Sequence, residues 1–357
     1  VNNQEIMLAG PLATPEMLDA LMLDGIAETV PGAMSGGAEA GIGGEWPRYL
    51  GGSGAIRAIR AKRTAAATRY LRIMGLSPVN VDGAEIWGFG QGGGADWADG
   101  NAALMAQVAR EVLSRPEDVP EEQIASRLSR IAEIVSVRMR VADEPEPTAW
   151  LPKPDRDRVQ EISRREAYGR YFSIEEISLR HRLHDGRWSP VLDREVFISA
   201  DAALLLPYDP VRDRVLLISQ FRMGPLARGQ AQCWMLEPVA GRIDAGETAE
   251  ASALREAAEE AGLQIGQVHA LPGYYPTPGA HSEFFYPFVG IADLPDTIEG
   301  HGFGLDDEGE DISTHLMSRQ ELVRLALGGQ LQCGPLILMT LWLDRNADRI
   351  RAELAGS

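Results

Sequence analysis

Hydrophobic and polar positions change period several times along this chain, and each change marks an element. Residues 5–12 (EIMLAGPL) read as a short apolar strand running into a turn. Thr14 then caps a helix with Pro15 at its first position and Met17, Leu18, Leu21 and Met22 as its apolar stripe. Gly- and Ala-rich sequence follows to about residue 54 without a clear period. A strand is expected near 55–61, a helix near 64–74, and a strand near 84–89 after the Asp82–Gly83 turn. The stretch 91–101 (QGGGADWADGN) reads as loop, whereas 102–113 and 121–141 carry helical spacing.

Residues 142–157 (ADEPEPTAWLPKPDRD) hold four prolines and charges of both signs, the composition of a linker. Beyond it, 172–183 and 191–198 flank Asp185–Gly186 and read as a hairpin, and 202–206 pairs with 215–219 around 207–213. Alternation in these strands is imperfect, as expected for a sheet covered on both faces. Residues 234–240 lead into a helix, and 286–291 returns as a strand. Ser318 and Glu321 form a capping box for a helix through 327, and 334–344 (GPLILMTLWLD) is a buried final helix. The expected plan is a first domain over 1–141, a linker over 142–157 and a second domain over 158–357.

Composition narrows the function classes. The chain has 357 residues, for which two domains are the natural expectation, and 45% hydrophobic content is ample for their cores. A net charge of −18 argues against a nucleic-acid partner, which would be repelled. A small nucleotide is not excluded, because a metal ion and local arginines can handle its phosphates. Cys233 and Cys333 are the only cysteines, so neither a disulfide framework nor a Cys-rich zinc site is expected. The six histidines show no H-x-x-x-H pairing. No run reaches the ~18 apolar residues of a membrane span, and the N-terminus lacks a basic-then-apolar signal pattern. These features together lead us to expect a cytoplasmic protein.

The candidate chemistry lies in 241–263, GRIDAGETAEASALREAAEEAGL. Thr248 is a candidate N-cap, 249–261 reads as a helix, and Gly262 ends it. Glu256, Glu259 and Glu260 stand three and four residues apart, so their carboxylates share one face. Leu254, Ala257, Ala258 and Ala261 supply small contacts through which the helix can lie close to a sheet. Three crowded carboxylates need a cation. Oxygen-only ligands favour a hard one, so Mg²⁺ (or Mn²⁺) bridging to a substrate phosphate is expected. Glu247 and Arg255 read as an ion pair that folds the preceding loop back onto the helix.

The spacing G-x5-E-x7-R-E-U-x-E-E-x-G-U, from Gly241 through Glu247, Arg255, Glu256, Ala257, Glu259, Glu260 and Gly262 to Leu263, resembles the signature of the Nudix hydrolases. The resemblance extends over about residues 159–354. It narrows to the ADP-ribose pyrophosphatase branch through LLPYDPVRDRVLLISQFR, YYPTPGAHSE with its Pro278, and GLDDEGEDISTH. That branch implies an α+β fold, an α/β/α sandwich with a mixed sheet. It implies metal binding by the Ala240 carbonyl, Glu256, Glu260 and Glu310. Glu308 would be the general base, in an acidic loop over 306–311 that closes on the substrate, with Glu259 and Arg255 completing the catalytic set. Arg222, Arg194, Phe172 and Glu283 would contact substrate, while Gly241, Glu247 and Gly262 shape the motif. The implied reaction is Mg²⁺-dependent hydrolysis of ADP-ribose to AMP and ribose 5-phosphate, by a homodimer whose strands over 172–198 exchange between subunits. GDP-mannose or another nucleoside diphosphate sugar is the alternative substrate, and a non-catalytic metabolite sensor the alternative class.

The first 141 residues resemble a gamma-glutamylcyclotransferase-like domain, a smaller α+β barrel. The family's Tyr-Gly-Thr-Leu loop is replaced here by Leu8–Leu12 (LAGPL), and Arg72 or its neighbours stand where the family has its acid. Glu85 falls at a strand start instead. The resemblance therefore implies a degenerate, non-catalytic relative, in a two-domain pattern similar to tellurite-resistance proteins.

Overall fold

The apolar run of β1 (Glu5–Ala9) occupies the centre of a five-stranded sheet. It pairs antiparallel with β3 (Arg48–Lys62) and parallel with β5 (Ala84–Trp87); β2 (Gly25–Ser35) and β4 (Val79–Val81) form the edges. This computed structural model describes residues 5–144, 155–300, 302–303 and 311–355. The chain divides into two compact units, 1–157 with 169–171, and 158–168 with 172–357.

In the first unit, α1 (Pro15–Ala20) and α2 (Ala65–Ile73) follow their expected starts, and α3 (Ala102–Leu113) has the expected bounds. Three details differ. The Thr14 hydroxyl donates to the Pro11 carbonyl at 3.2 Å instead of capping, and Met22 adopts φ 53 and is exposed, so it leaves the apolar stripe. The long β2–β3 hairpin fills the Gly- and Ala-rich stretch where no period was visible. Its β2 is mostly exposed and shifts register between Pro31 and Ala33, and its buried position 32 is a glycine while Ile26 is exposed, so no apolar period shows in the sequence. Finally, the expected 121–141 helix is two, α4 (Glu121–Ala125) and α5 (Leu128–Asp143), broken where Arg127 leaves helical geometry with φ −117 and ψ 11.

In the second unit a small sheet of β6 (Val159–Gly169), β7 (Ser173–His181) and β8 (Leu192–Ile198) precedes the main one. The main sheet is built from β9 (Ala202–Asp209), β10 (Arg214–Phe221), β11 (Trp234–Glu237), β12 (Val239–Arg242), β13 (Gln267–Ala270), β14 (Phe285–Ile291), β15 (Gly302–Phe303) and β16 (Ile312–Ser318). Its order is β13-β14-β9-β10-β16-β15, with β11 on β10 and β12 on β9. The β9–β14 pairing is parallel and its neighbours antiparallel, so the sheet is mixed. Every residue of β9 is buried, which explains its near-continuous apolar run. One face packs on α7 (Ala249–Ala261) through Ala203, Leu205, Leu216 and Ile218. The other packs on α8 (Arg319–Leu327) and α9 (Gly334–Ala355) through Leu204, Leu206, Tyr208 and Leu217. The result is helix, sheet, helix. The remaining short helix, α6 (Met223–Arg228), follows β10. No helix among the described residues is long and apolar enough to cross a membrane.

Candidate functional site

Helix α7 begins and ends as its sequence dictates. The Thr248 hydroxyl accepts from the Ala251 N–H at 3.2 Å, satisfying one of the free donors of the first turn. Gly262 closes the helix at φ 61, where its N–H donates to the Ala258 carbonyl at 3.1 Å and the Leu263 N–H to Ala257 at 3.0 Å. The buried face is Ala253, Ala257 and Ala261, one residue per turn, joined by Ser252 and Glu260. Ala258 is exposed and Leu254 only half-buried, so the contact face is offset from the expected Leu254–Ala258 edge. Small side chains at these positions let the helix axis approach the sheet closely enough for two carboxylates to reach a strand.

Those carboxylates are Glu256 and Glu260, and the strand is β12. Glu260 is buried at 3% exposure and its Oε2 accepts from the Ala240 N–H at 3.0 Å. Glu256 lies directly over Gly241: a Cβ there would stand 1.8 Å from Glu256 Oε1. Close approach, not a left-handed backbone, is what requires glycine at 241. Ala240 precedes it on β12, so three of the expected oxygen ligands come from one strand residue and two carboxylates on one helix face.

Arg255 binds the whole motif together. Its Nε and Nη2 donate to the Glu247 carboxylate at 3.2 and 3.1 Å, and Nη2 also donates to the Arg242 carbonyl at 3.1 Å. Nη1 donates to Glu256 Oε1 at 2.7 Å and to Glu259 Oε2 at 3.0 Å. Burial alone would lower the Arg255 pKa, but the Glu247 hydrogen bonds and the charges of Glu256 and Glu247 outweigh it and raise it. The guanidinium is therefore a permanent internal cation among three hydrogen-bonded acids. Among the described residues no three His, Cys, Asp or Glu side chains converge as a ready metal cluster. The donor set that does converge on β12, carboxylate and backbone oxygens without nitrogen or sulfur, fits a hard divalent cation. Glu308 and Glu310 lie outside the described residues.

A second group of side chains gathers on the loop from 274 to 284 and the ends of β8 and β10. The Phe172 ring stands 4.7 Å from Phe197 and the Arg242 guanidinium 5.6 Å from Phe172. Phe197 in turn stacks on His281 at 4.5 Å. Glu283 accepts from the Ser199 hydroxyl at 3.4 Å. Burial pushes the Glu283 carboxyl up, while the charges of Arg242 and Arg222 pull it down. Arg222 caps the end of β10 and its Nε donates to Glu237 at 2.8 Å. Thus Phe172, Glu283 and Arg222 share one region. Arg194 does not join them: it is exposed on β8, its Nη1 donating to the Asp193 carbonyl at 2.8 Å. The sequence reading passed over Phe197, Ser199, Glu237, Arg242 and His281. Arg242 and His281 were within reach, being adjacent in sequence to Gly241 and to the Ser282–Glu283 pair; nothing in the alternation of β8 marks Phe197.

The NUDIX domain family matches residues 199–332. An ADP-ribose pyrophosphatase from Escherichia coli (strain K12) is 36% identical over 197 residues, covering 55% of this chain and 93% of the relative. A GDP-mannose pyrophosphatase from Citrobacter koseri is 30% identical over 155 residues, 43% of this chain and 78% of the relative. A solved structure described as an ADP compounds hydrolase superposes with a TM-score of 0.40 at 19% identity, covering 53% of this chain and 96% of that one.

Proposed function

The chain belongs to the Nudix hydrolase family, and from that premise we propose that it hydrolyses the pyrophosphate of ADP-ribose to AMP and ribose 5-phosphate with Mg²⁺. The observation that carries the reading is the convergence of Glu256 and Glu260 on Ala240–Gly241, where a side chain on residue 241 would collide with the Glu256 carboxylate. Similarity to the ADP-ribose pyrophosphatase is higher, and covers more of both chains, than similarity to the GDP-mannose enzyme.

A divalent cation held by Glu256, Glu260 and the Ala240 carbonyl would neutralise the pyrophosphate and polarise the phosphorus under attack. The chain's own residues supply the rest. Arg255 keeps Glu256 and Glu259 in place and offsets their mutual repulsion. Arg222, tethered by Glu237, presents a cation to a phosphate, and the Phe172 ring with Arg242 offers a face for the base. Glu283 accepts sugar hydroxyls. Deprotonation of the attacking water is assigned to Glu308 on the resemblance alone. The first unit is assigned the role of a degenerate, non-catalytic gamma-glutamylcyclotransferase-like relative, on the missing acid at the family position.

Incubation with ADP-ribose, GDP-mannose and related nucleoside diphosphate sugars plus Mg²⁺, with the released nucleoside monophosphate measured, tests the proposal. ADP-ribose should give the highest kcat/KM. Preference for GDP-mannose would move the assignment to that substrate, and no turnover of any member would favour a sensor.

A further inference from the structure

His281 and Phe197 lie beside Phe172 and Glu283 without a task in the reading above. The imidazole lies on the Phe197 ring with centroids 4.5 Å apart and planes 18° from parallel. Backbone bonds fix the two residues to each other: the Phe197 N–H donates to the Ala280 carbonyl at 2.9 Å, and the Ser282 N–H to the Phe197 carbonyl at 3.0 Å. The Ala280 and His281 N–H groups both donate to the Thr277 carbonyl, at 3.1 and 3.0 Å, which holds the loop in a tight turn. His281 thus has little freedom, and its Nδ1 stands 3.6 Å from Glu283 Oε2. The other oxygen, Oε1, faces the Ser199 hydroxyl, and Ser199 is itself tied to Ser282 by its N–H, 3.0 Å from the Ser282 Oγ. A carboxylate on three rotatable bonds is in this way flanked at both oxygens.

We propose that His281 is a positioning residue for Glu283, its ring locked by Phe197 so that the carboxylate is pre-set to accept the sugar hydroxyls of a nucleoside diphosphate sugar. Because it names a contributor to that same site, the proposal rests on the hydrolase reading. The physical reason is entropy. A free glutamate loses rotamer freedom when it grips a ligand, whereas one already held does not, and affinity rises accordingly. The task needs a flat ring to stack and a polar atom on its edge, a combination that neither phenylalanine nor asparagine offers. Burial pushes the imidazole down and the carboxyl up. At 3.6 Å the contact is electrostatic: a neutral imidazole that carries its hydrogen on Nδ1 turns the positive end of that N–H towards Glu283, whose charge Arg242 and Arg222 favour.

A double-mutant cycle on the full chain tests this, with KM, kcat and Tm measured for His281→Phe, Glu283→Gln and the pair. His281→Phe keeps a stacking ring and loses Nδ1. It should raise KM for ADP-ribose roughly five- to tenfold, with a smaller change in kcat and little change in Tm, since an interaction common to ground and transition states is removed. In the Glu283→Gln background the same substitution should change KM by less than about twofold, because residues acting through one another are not additive. An unchanged KM in the single variant, or factors that multiply in the double, would overturn the proposal. So would a fall in Tm that accounts for the lost activity. Should His281→Phe not fold, His281→Gln enters the same cycle under the same criteria. A wild-type chain that hydrolyses none of the panel would sink the hydrolase reading as well; an active wild type with multiplicative factors sinks this inference alone.

Discussion

At Gly241 a single hydrogen atom decides whether the site can form. Adding one methyl there places carbon 1.8 Å from Glu256 Oε1, a distance no contact tolerates. Gly241→Ala should therefore displace the Glu256 carboxylate and lower kcat/KM by roughly 10²-fold, a loss of the size seen when a transition-state charge contact is removed. The fold should survive, which circular dichroism would show. Glu260→Gln makes the complementary test, since an amide oxygen can still accept from the Ala240 N–H while the charge is gone. Turnover should drop by at least ~10²-fold with Tm little changed; a fully active variant would remove the metal assignment. At this scale the motif was legible because covalent spacing and helix periodicity alone bring Glu256, Glu259 and Glu260 to one face. The partners of Glu283 were not. Phe197, Ser199 and His281 come from segments some 80 residues apart, and no local period encodes a contact between a strand end and a distant loop.

Among the elements, α9 shows how a distant segment is fastened. Asp213, in the turn between β9 and β10, accepts from Arg319 Nε and Nη2 at 2.8 and 3.0 Å and from the Tyr208 hydroxyl through its Oδ1, and it pairs with Arg351 on α9. Burial pushes its carboxyl up, but these hydrogen bonds outweigh the effect and bring it down to about 2. The folded value lies below the unfolded 3.8, so the stabilisation is complete above about pH 4 and is lost as pH falls towards 2. Asp213→Asn, which suits the left-handed backbone at φ 51, should cost about 1.5–3 kcal/mol at pH 7, the range for hydrogen bonds to a charged group. The Tm difference from wild type should shrink across that acid window; a constant gap would place the stabilisation elsewhere. Legibility at this scale followed burial. Elements with one clean apolar face, such as α3 and α7, were read with correct bounds. The mostly exposed β2 and the strand β16 were not: Ile26 is exposed and Gly32 buried in the one, and Thr314 is fully buried in the other, so hydrophobicity does not track burial along either.

For the molecule as a whole, the described cores of the second unit are self-contained: the clusters on both faces of the main sheet draw only on residues 203 to 354. A fragment of residues 158–357 should therefore fold and hydrolyse ADP-ribose within roughly tenfold of the full chain, as domains with their own cores do. A soluble, metal-binding but inactive fragment would mean that the first unit completes the site. We also expect a homodimer. Strand β6 is exposed along nearly its whole length, with Val159, Ile162 and Tyr168 each about half exposed, the kind of strand that proteins cover. Light scattering should give twice the 38.8 kDa chain mass, and a monomer at micromolar concentration would contradict the expectation.

The internal cation at Arg255 has one further consequence. Crowded acids usually make an ion-binding protein depend on its ion for integrity, so that a chelator loosens the fold. Here a fixed guanidinium already offsets Glu247, Glu256 and Glu259. Treatment with EDTA should therefore abolish turnover while shifting Tm by only about 1–2 °C, roughly 0.3–1 kcal/mol for a unit of this size, and restored Mg²⁺ should return full activity without refolding. The enzyme would then tolerate fluctuating ion supply as a change in rate rather than as a hazard to its own survival.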